Sequence, residues 1–238
     1  MLVHLLRSNP HVLCHGEVFG ATAVGQVCGV YAARRKADRK YDALFWKYRT
    51  QRLEAFLYDV VFDTQNRRVA GFKFKTDEAF APEYKDVFDL IHRDTDIKII
   101  HLRRRNLLDQ YVSHQVVLNQ TGVMLVTDGD ALPQVSPFAI DVSHLLAYVS
   151  DVLGRERLAR ELYANHRQAV VNYEDMIQEN HPVRDRLQVF LGLHPVPLAT
   201  RTRKIIERNS DLVLNMDEVV EALTRHGFED RLLATSVS

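Results

Sequence analysis

The chain has 238 residues, of which 46% are hydrophobic and 26% charged, and this length and composition suit one α/β domain with a sizeable core. Lys and Arg together number 31, as do Asp and Glu, so the formal net charge is zero and broad electrostatic capture of a nucleic acid is disfavoured. Two cysteines and 11 histidines without ligand spacing argue against a disulfide framework and a metal site, and no apolar run reaches the ~18 residues of a membrane-spanning helix.

The first third of the chain predicts helices around one short strand. A helix ends before Pro10, because proline stops a helix, and an apolar extended segment follows at residues 12–13. Residues 21–37 and 43–58 are predicted to be helical. The segment R-V-A-G-F-K-F-K at 68–75 alternates apolar and polar residues as a β-strand does.

The rest of the chain alternates helices with apolar strands. This order predicts an α/β fold in which helices flank a central parallel sheet. The strand before Arg103 is expected to be buried, because its apolar run is nearly continuous. The predicted elements are a helix at 84–93, a strand at 97–102, a helix capped by Asn106, a loop or hairpin at 124–135, helices at 142–153 and 156–165, and a strand around Val170.

The segment I-K-I-I-H-L-R-R-R-N-L-L-D-Q-Y-V-S at 97–113 predicts a phosphate site. An apolar strand delivers Arg105 to the start of a helix, where free N–H groups and the helix dipole favour an anion. Arginine binds phosphate oxygens with a planar fork of donors. Ser113 lies eight residues later, about two turns into the helix, and can offer a hydroxyl to the same anion. A solvated basic turn is the alternative interpretation of the three arginines.

The spacing of Arg105, Asp109 and Ser113 after an apolar strand resembles the 3′-phosphate motif of sulfotransferases that use PAPS, 3′-phosphoadenosine 5′-phosphosulfate. Three further segments resemble the family in the order that it requires, and the resemblance has a gap from about residue 20 to residue 67. The segments are L-L-R-S-N-P-H-V-L-C-H-G-E at 5–17, Y-E-D-M at 173–176 with F-L-G-L at 190–193, and the basic segment at 201–204 with N-M-D-E at 215–218.

The resemblance implies a P-loop nucleotide-kinase-like sulfotransferase fold over a single domain, residues 1–238. Glu17 would be the catalytic base, since sulfuryl transfer needs a group that takes the proton of the attacking acceptor, and His15 is the next candidate. Arg105 and Ser113 would hold the 3′-phosphate of PAPS, with Arg203 and Lys204 closing over it. Residues 20–60 would form a helical insertion on the acceptor side, and 201–238 a C-terminal basic loop and helix.

The implied function is transfer of a sulfuryl group from PAPS, as co-substrate, to a hydroxyl or amine. Glycine and glutamate at positions 16 and 17 resemble the bacterial carbohydrate and tyrosylprotein branches, so we expect a small-molecule or carbohydrate acceptor, with a saccharide favoured. No metal, nucleic acid or membrane span is expected, and a cytoplasmic location is predicted. A phosphoryl-transfer enzyme and a non-catalytic nucleotide-binding remnant are the alternatives.

One departure from the family is large. The phosphosulfate loop, R-(S/T)-G-(S/T)-x-x-L, should stand directly before the segment at 5–17, yet the chain opens M-L-V-H-L-L. The glycines at 20 and 25 have the spacing of a nucleotide-binding P-loop, but Gln26 and Val27 stand where lysine and a hydroxyl residue are needed. We therefore expect a fold truncated at its N-terminus, which would bind PAPS unproductively and be inactive as written.

Overall fold

The computed structural model describes residues 1–19, 26–38, 40–75, 82–123, 126–200, 202–203, 205 and 209–231. It is a mixed α/β structure that divides into two compact units. Unit 1 comprises Met1–His101, Leu158–Ala169 and Glu179–Thr200, and unit 2 comprises Leu102–Arg157, Val170–Gln178 and Arg201–Ser238. The organisation as a single sulfotransferase-like domain, with an acceptor-side insertion at 20–60, stays a prediction.

The described strands are short and pair two by two. The strands are β1 (Val12–Cys14), β2 (Val69–Gly71), β3 (Ile99–Arg103), β4 (Val126–Thr127), β5 (Gln168–Asn172) and β6 (Thr202–Arg203). β1 pairs with β2 in parallel, β3 pairs with β5, and β4 pairs with β6 antiparallel. The α/β class is confirmed, but within the described residues the strands form three separate pairs where one central parallel sheet was expected. Alternation along a chain identifies strands and leaves their partners open.

Helices make up most of the remaining chain, and none in its described part is long and apolar enough to cross a membrane. The predicted helices at 142–153 and 156–165 form one continuous helix, because the ~1 kcal/mol cost of Gly154 does not break it. The helices are α1 (Leu2–Arg7), α2 (Val30–Ala37), α3 (Lys40–Gln51), α4 (Leu53–Phe56), α5 (Lys85–Arg93), α6 (Leu107–Val116), α7 (Val142–Leu162), α8 (Tyr173–Ile177), α9 (Val183–Phe190) and α10 (Met216–Arg225).

Two predicted helices are shorter or interrupted in the structure. The helix predicted at 21–37 begins at Val30, directly after Gly29, whose positive φ of 71° is incompatible with a helix. The helix predicted at 43–58 is interrupted at Arg52 and continues from α4 into a π-helical segment, Leu57–Val61. The start of the first of these predictions, residues 21–25, lies outside the described residues.

The core of unit 1 anchors the segment that carries Glu17. Phe19, two residues later, packs edge-on against Phe56 and Phe72 with ring centroids 5.9 and 5.3 Å apart. These rings join a buried cluster that α4, the π-helical segment and the apolar face of α5 complete. Burying a phenylalanine side chain stabilises a fold by about 1.5–3 kcal/mol. The packing of Phe19 therefore holds the segment after β1, which carries Glu17.

The core of unit 2 fixes the start of α6. The helix buries one apolar face, with Leu107, Val112 and Val116 at most 1% exposed, against α7 and α10. Asn106 caps the helix as predicted, because its side-chain oxygen accepts a hydrogen bond from the Asp109 amide at 2.8 Å. The turn that carries Arg105 is therefore set at both ends, by β3 before it and by α6 after it.

A buried polar network in unit 1 joins the turn after α1 to α9. Asn9 donates to the Gln188 side-chain oxygen at 2.8 Å, and that oxygen also accepts from the Val196 amide at 3.1 Å. The Gln188 side-chain nitrogen donates to the Val196 carbonyl at 3.0 Å. Both side chains are at most 1% exposed, so their polar atoms depend on each other for hydrogen bonds.

We predict that Gln188→Leu lowers the free energy of unfolding by about 2–4 kcal/mol, because it strands the buried polar groups of Asn9 and Val196. Urea unfolding followed by far-UV circular dichroism measures this. Gln51→Leu, at an exposed end of α3, is the control and should change stability by less than ~0.5 kcal/mol. Equal effects of the two substitutions would contradict the network.

Candidate functional site

The backbone at the start of α6 already holds a carboxylate. The Arg105 amide donates to both oxygens of Glu174, at 3.0 and 3.2 Å, and the Asn106 amide donates to one of them at 3.2 Å. Free N–H groups at a helix start are the usual donors to a bound anion. In this structure Glu174, at the start of α8, is that anion, so an incoming phosphate is not received by these two amides.

The guanidinium of Arg105 is also paired within the protein. Its Nη2 donates to Asp175 at 2.5 Å, and its Nε lies 4.0 Å from Glu174. The other oxygen of Asp175 accepts from Asn172 at 3.0 Å, and the Asn172 oxygen accepts from Arg103 Nε at 3.0 Å. The Arg105 side chain is nevertheless 44% exposed, so these contacts leave much of it accessible to solvent.

The middle arginine of the run stacks on an aromatic ring. Arg104 lies over the ring of Tyr173, 4.0 Å from its centroid, and burial raises the pKa of the Tyr173 phenol. All three side chains of the segment Tyr173-Glu174-Asp175 therefore contact the arginine run. The signal for this contact lay in the order of the chain, because Arg104 and Arg105 follow β3, the segment follows β5, and β3 pairs with β5.

The other predicted nucleotide-binding residues belong to unit 2, and the structure describes some of them more fully than others. Ser113 lies in α6, two turns after Arg105, and is partly buried. Arg203 belongs to β6, where its backbone is in register with Val126; its side chain and the whole of Lys204 lie outside the described residues. Arg105 and Ser113 are thus brought onto one strand–helix segment, and the approach of Arg203 and Lys204 stays a prediction.

Glu17, in unit 1, lies between two lysines. Lys73 Nζ is 2.5 Å from one of its carboxylate oxygens and Lys75 Nζ is 2.7 Å from the other. Partial burial of the carboxyl raises its pKa, but the hydrogen bonds and charges of the two lysines outweigh burial, so the pKa of Glu17 lies below its ordinary value. The carboxylate is therefore ionised at neutral pH and is a weaker proton acceptor while both lysines hold it.

Lys73 and Lys75 were not predicted to be site residues, although both lie in the strand predicted at 68–75. Hydrogen-bonded β2 ends at Gly71, two residues before Lys73, so the strand predicted at 68–75 is shorter than expected. Alternation nevertheless continues beyond it. Phe72 and Phe74 contact the ring of Phe19 in the core, and the alternate residues, Lys73 and Lys75, lie on the side of Glu17.

The alternative base, His15, is buried and hydrogen-bonded to a backbone amide. It is 0% exposed, and its Nδ1 accepts a hydrogen bond from the Cys28 amide at 2.9 Å. Burial lowers the pKa of His15 to about 4, so the imidazole is neutral at neutral pH. A side chain with no exposed surface does not reach an acceptor hydroxyl, so Glu17 is the stronger candidate of the two.

Neither metal ligands nor relatives add to this description. Among the described residues, no group of three or more His, Cys, Asp or Glu side chains is arranged to hold a metal ion. Comparison of the chain with protein-family models, with curated proteins and with solved structures finds no match. The function of the chain is therefore inferred from its own residues.

We predict that replacing both lysines, Lys73→Met with Lys75→Met, raises the pKa of Glu17 above its ordinary value of 4.5, because burial then acts unopposed. Titration of the Glu17 side-chain carboxyl by carbon-13 NMR measures the change. The control Lys85→Met, which removes a lysine paired with Asp89 elsewhere on unit 1, should leave the Glu17 titration unchanged. An unmoved pKa in the double variant would show that the lysines do not hold the carboxylate in solution.

Proposed function

We propose that this chain binds PAPS and takes part in the transfer of its sulfuryl group to an acceptor hydroxyl or amine. The observation that carries the proposal is Arg105 at the junction of β3 and α6, where both flanking elements hold it and its side chain remains 44% exposed. A fixed, half-exposed arginine two turns before a helix serine suits a phosphate monoester. Glu17 supplies the carboxylate that the reaction requires.

The 3′-phosphate would bind to side chains, with the backbone of the junction playing a smaller part than the sequence suggested. Guanidinium has five N–H donors, and Asp175 accepts one hydrogen bond from Arg105. A phosphate can therefore hydrogen-bond to other donors of the guanidinium while Asp175 keeps its contact with Nη2. Glu174 retains the two amides at the helix start, so the phosphate gains little from the helix dipole.

In the proposed reaction, the acceptor oxygen attacks sulfur and the bond between sulfur and the 5′-phosphate oxygen breaks. The acceptor proton passes to Glu17, and 3′-phosphoadenosine 5′-phosphate leaves. Because Lys73 and Lys75 each hold one oxygen of Glu17, movement of either lysine away from the carboxylate would favour this proton transfer. That movement would raise the proton affinity of the carboxylate at the moment when the acceptor is bound.

One observation favours a second candidate, a nucleotide-binding protein without catalysis. Glu174 and Asp175 place two negative charges against the backbone and side chain of Arg105. A site that satisfies its own cation persists without a ligand, as expected for a protein that kept the arginine turn as structure. Binding and transfer measured separately distinguish the two candidates.

We predict that the chain binds 3′-phosphoadenosine 5′-phosphate more tightly than AMP, and that Arg105→Ala weakens the first by about 10- to 100-fold with little effect on the second. Isothermal titration calorimetry measures both affinities. Arg104→Ala is the matched control, since it removes an equal charge from a side chain committed to the Tyr173 ring. Equal affinity for the two nucleotides would exclude the 3′-phosphate assignment, and equal losses in both variants would indicate general electrostatic attraction.

We further predict that, in a chain supplied with the family's phosphosulfate loop ahead of residue 1, Glu17→Gln preserves nucleotide affinity and lowers the rate of sulfuryl transfer by about 100-fold, because the amide keeps the shape and loses the proton-accepting charge. Transfer of radiolabelled sulfate from PAPS to a panel of phenolic, amine and saccharide acceptors provides the rate. Nucleotide binding without transfer to any acceptor would favour the non-catalytic candidate. Transfer by Glu17→Gln within a few-fold of the unmodified chain would assign the base to another residue.

A further inference from the structure

Helices α2 and α3 of unit 1 are strongly basic in a chain whose formal net charge is zero. Residues 30–51, which span the two helices, contain seven Lys or Arg and two Asp or Glu. Among the described side chains of these helices, the exposed ones include no carboxylate. Three other helices instead carry ion pairs one turn apart, which are Lys85 with Asp89, Arg155 with Asp151, and Arg225 with Glu221. The outer face of α2 and α3 therefore carries charge of one sign.

Three cations of this face lack a carboxylate partner among the residues that the structure describes. Arg34, Lys36 and Lys47 are exposed, and none of them forms an ion pair there. Lys40 differs, because it pairs with Asp38 at 3.0 Å. Exposed cations without a counter-charge on the protein attract anions from outside it.

The outer face of α3 also carries two large apolar side chains. Leu44 is 55% exposed, and Trp46, the single tryptophan of the chain, is 44% exposed. Leu44 lies one turn after Lys40 and one turn before Lys47, so these three residues form one stripe along the helix. Trp46 precedes Lys47 and flanks this stripe. Leucine and tryptophan exposed among lysines are typical of a helix that lies at a membrane interface.

The inner face of the two helices is fixed to the core of unit 1. Tyr31 of α2 and Phe45 of α3 pack edge to face with ring centroids 5.4 Å apart, and both join the core cluster. On α3, the guanidinium of Arg49 lies over the ring of Trp46 at 4.1 Å from the centroid and donates to the carbonyl of Val18. The outer face is therefore preformed, and binding through it does not require the helices to fold.

We propose that the outer face of α2 and α3 binds the surface of a bilayer that contains anionic phospholipids. Arg34, Lys36 and Lys47 interact with the phosphate headgroups, while Leu44 and Trp46 enter the interfacial layer. Tryptophan prefers that depth, because the indole combines a large apolar area with one N–H donor. This inference is independent of the proposed sulfuryl transfer.

A nucleic acid would attract the same cations, but the apolar residues favour the bilayer. Leu44 is the more exposed of the two large apolar side chains of α3. It is transferred out of water when it contacts acyl chains, whereas a phosphate backbone offers it little apolar surface. The experiment below includes the nucleic acid as the competing outcome.

Intrinsic fluorescence reports binding directly, because Trp46 is the single tryptophan. The full chain is titrated with vesicles of phosphatidylglycerol and phosphatidylcholine in equal parts, with vesicles of phosphatidylcholine alone, and with a single-stranded oligonucleotide. A saturable blue shift with the anionic vesicles, at least about tenfold tighter than with the neutral ones, is the expected result. Vesicles with brominated acyl chains should quench the emission, and added salt should weaken binding.

Co-sedimentation of variants with the anionic vesicles then measures the part played by charge. The double variant Lys36→Gln with Lys47→Gln should weaken binding by about 10- to 25-fold, since each basic side chain near an anionic surface contributes about fivefold. The matched control is Arg167→Gln with Arg186→Gln, which removes the same charge from exposed positions elsewhere on unit 1 and should change binding by less than about twofold.

A second pair of variants measures the part played by the apolar side chains. Trp46→Gln should weaken binding by about 5- to 10-fold through loss of the indole from the interface. Val189→Gln, which removes an exposed apolar side chain from α9, is the control and should leave binding unchanged. Unaltered circular dichroism and unfolding midpoints establish that all variants fold.

The proposal is overturned if the anionic vesicles leave the emission of Trp46 unchanged, if neutral vesicles bind equally well, or if brominated chains do not quench. It is equally overturned if the oligonucleotide binds and the vesicles do not, or if either control weakens binding as much as its partner variant. None of these measurements involves PAPS or a transfer assay. Vesicle binding by a chain that fails to bind 3′-phosphoadenosine 5′-phosphate would therefore reject the proposed function and retain the membrane-binding face.

Discussion

The contact between the arginine run and the segment Tyr173-Glu174-Asp175 organises the site in unit 2. Glu174 accepts hydrogen bonds from the backbone at the start of α6, while Asp175 binds the guanidinium of Arg105. Without these carboxylates, three consecutive arginines would repel one another and a helix start would have unsatisfied donors. The same interactions limit what the turn can bind, because an external phosphate meets an arginine whose charge is already balanced.

In the site of unit 1 the charges are reversed, because a carboxylate is held there by two cations. Glu17 is a single carboxylate held by Lys73 and Lys75, and an aromatic core behind it fixes the backbone on both sides. Its lowered pKa keeps it charged, which suits binding and orientation, and makes it a weaker proton acceptor while both lysines hold it. In both units a candidate functional side chain is therefore already paired with other residues of the protein. A ligand would have to share those contacts or displace them.

Local features of the fold were predictable because they depend on near neighbours in the chain. The helix before Pro10, the inward face of α5 and the cap formed by Asn106 follow from proline geometry, helical spacing and a side chain that bonds an amide three residues away. The predicted strand at 68–75 was too long, yet its alternation correctly separated the two lysines from Phe72 and Phe74. The two helices predicted at 142–153 and 156–165 are one helix, since the cost of Gly154 is small against a long helix.

The sequence by itself determined the α/β class, the placement of Arg105 between a strand and a helix, and the candidacy of Glu17 through its resemblance to a family. Tertiary structure alone decided which partners these residues meet. Glu174 and Asp175 lie 69 and 70 residues from Arg105, and Lys73 lies 56 residues from Glu17. Periodicity and capping act over a few residues, whereas ion pairs and strand pairing are chosen by the packing of distant segments, so the charge balance of a site emerges only in the folded chain.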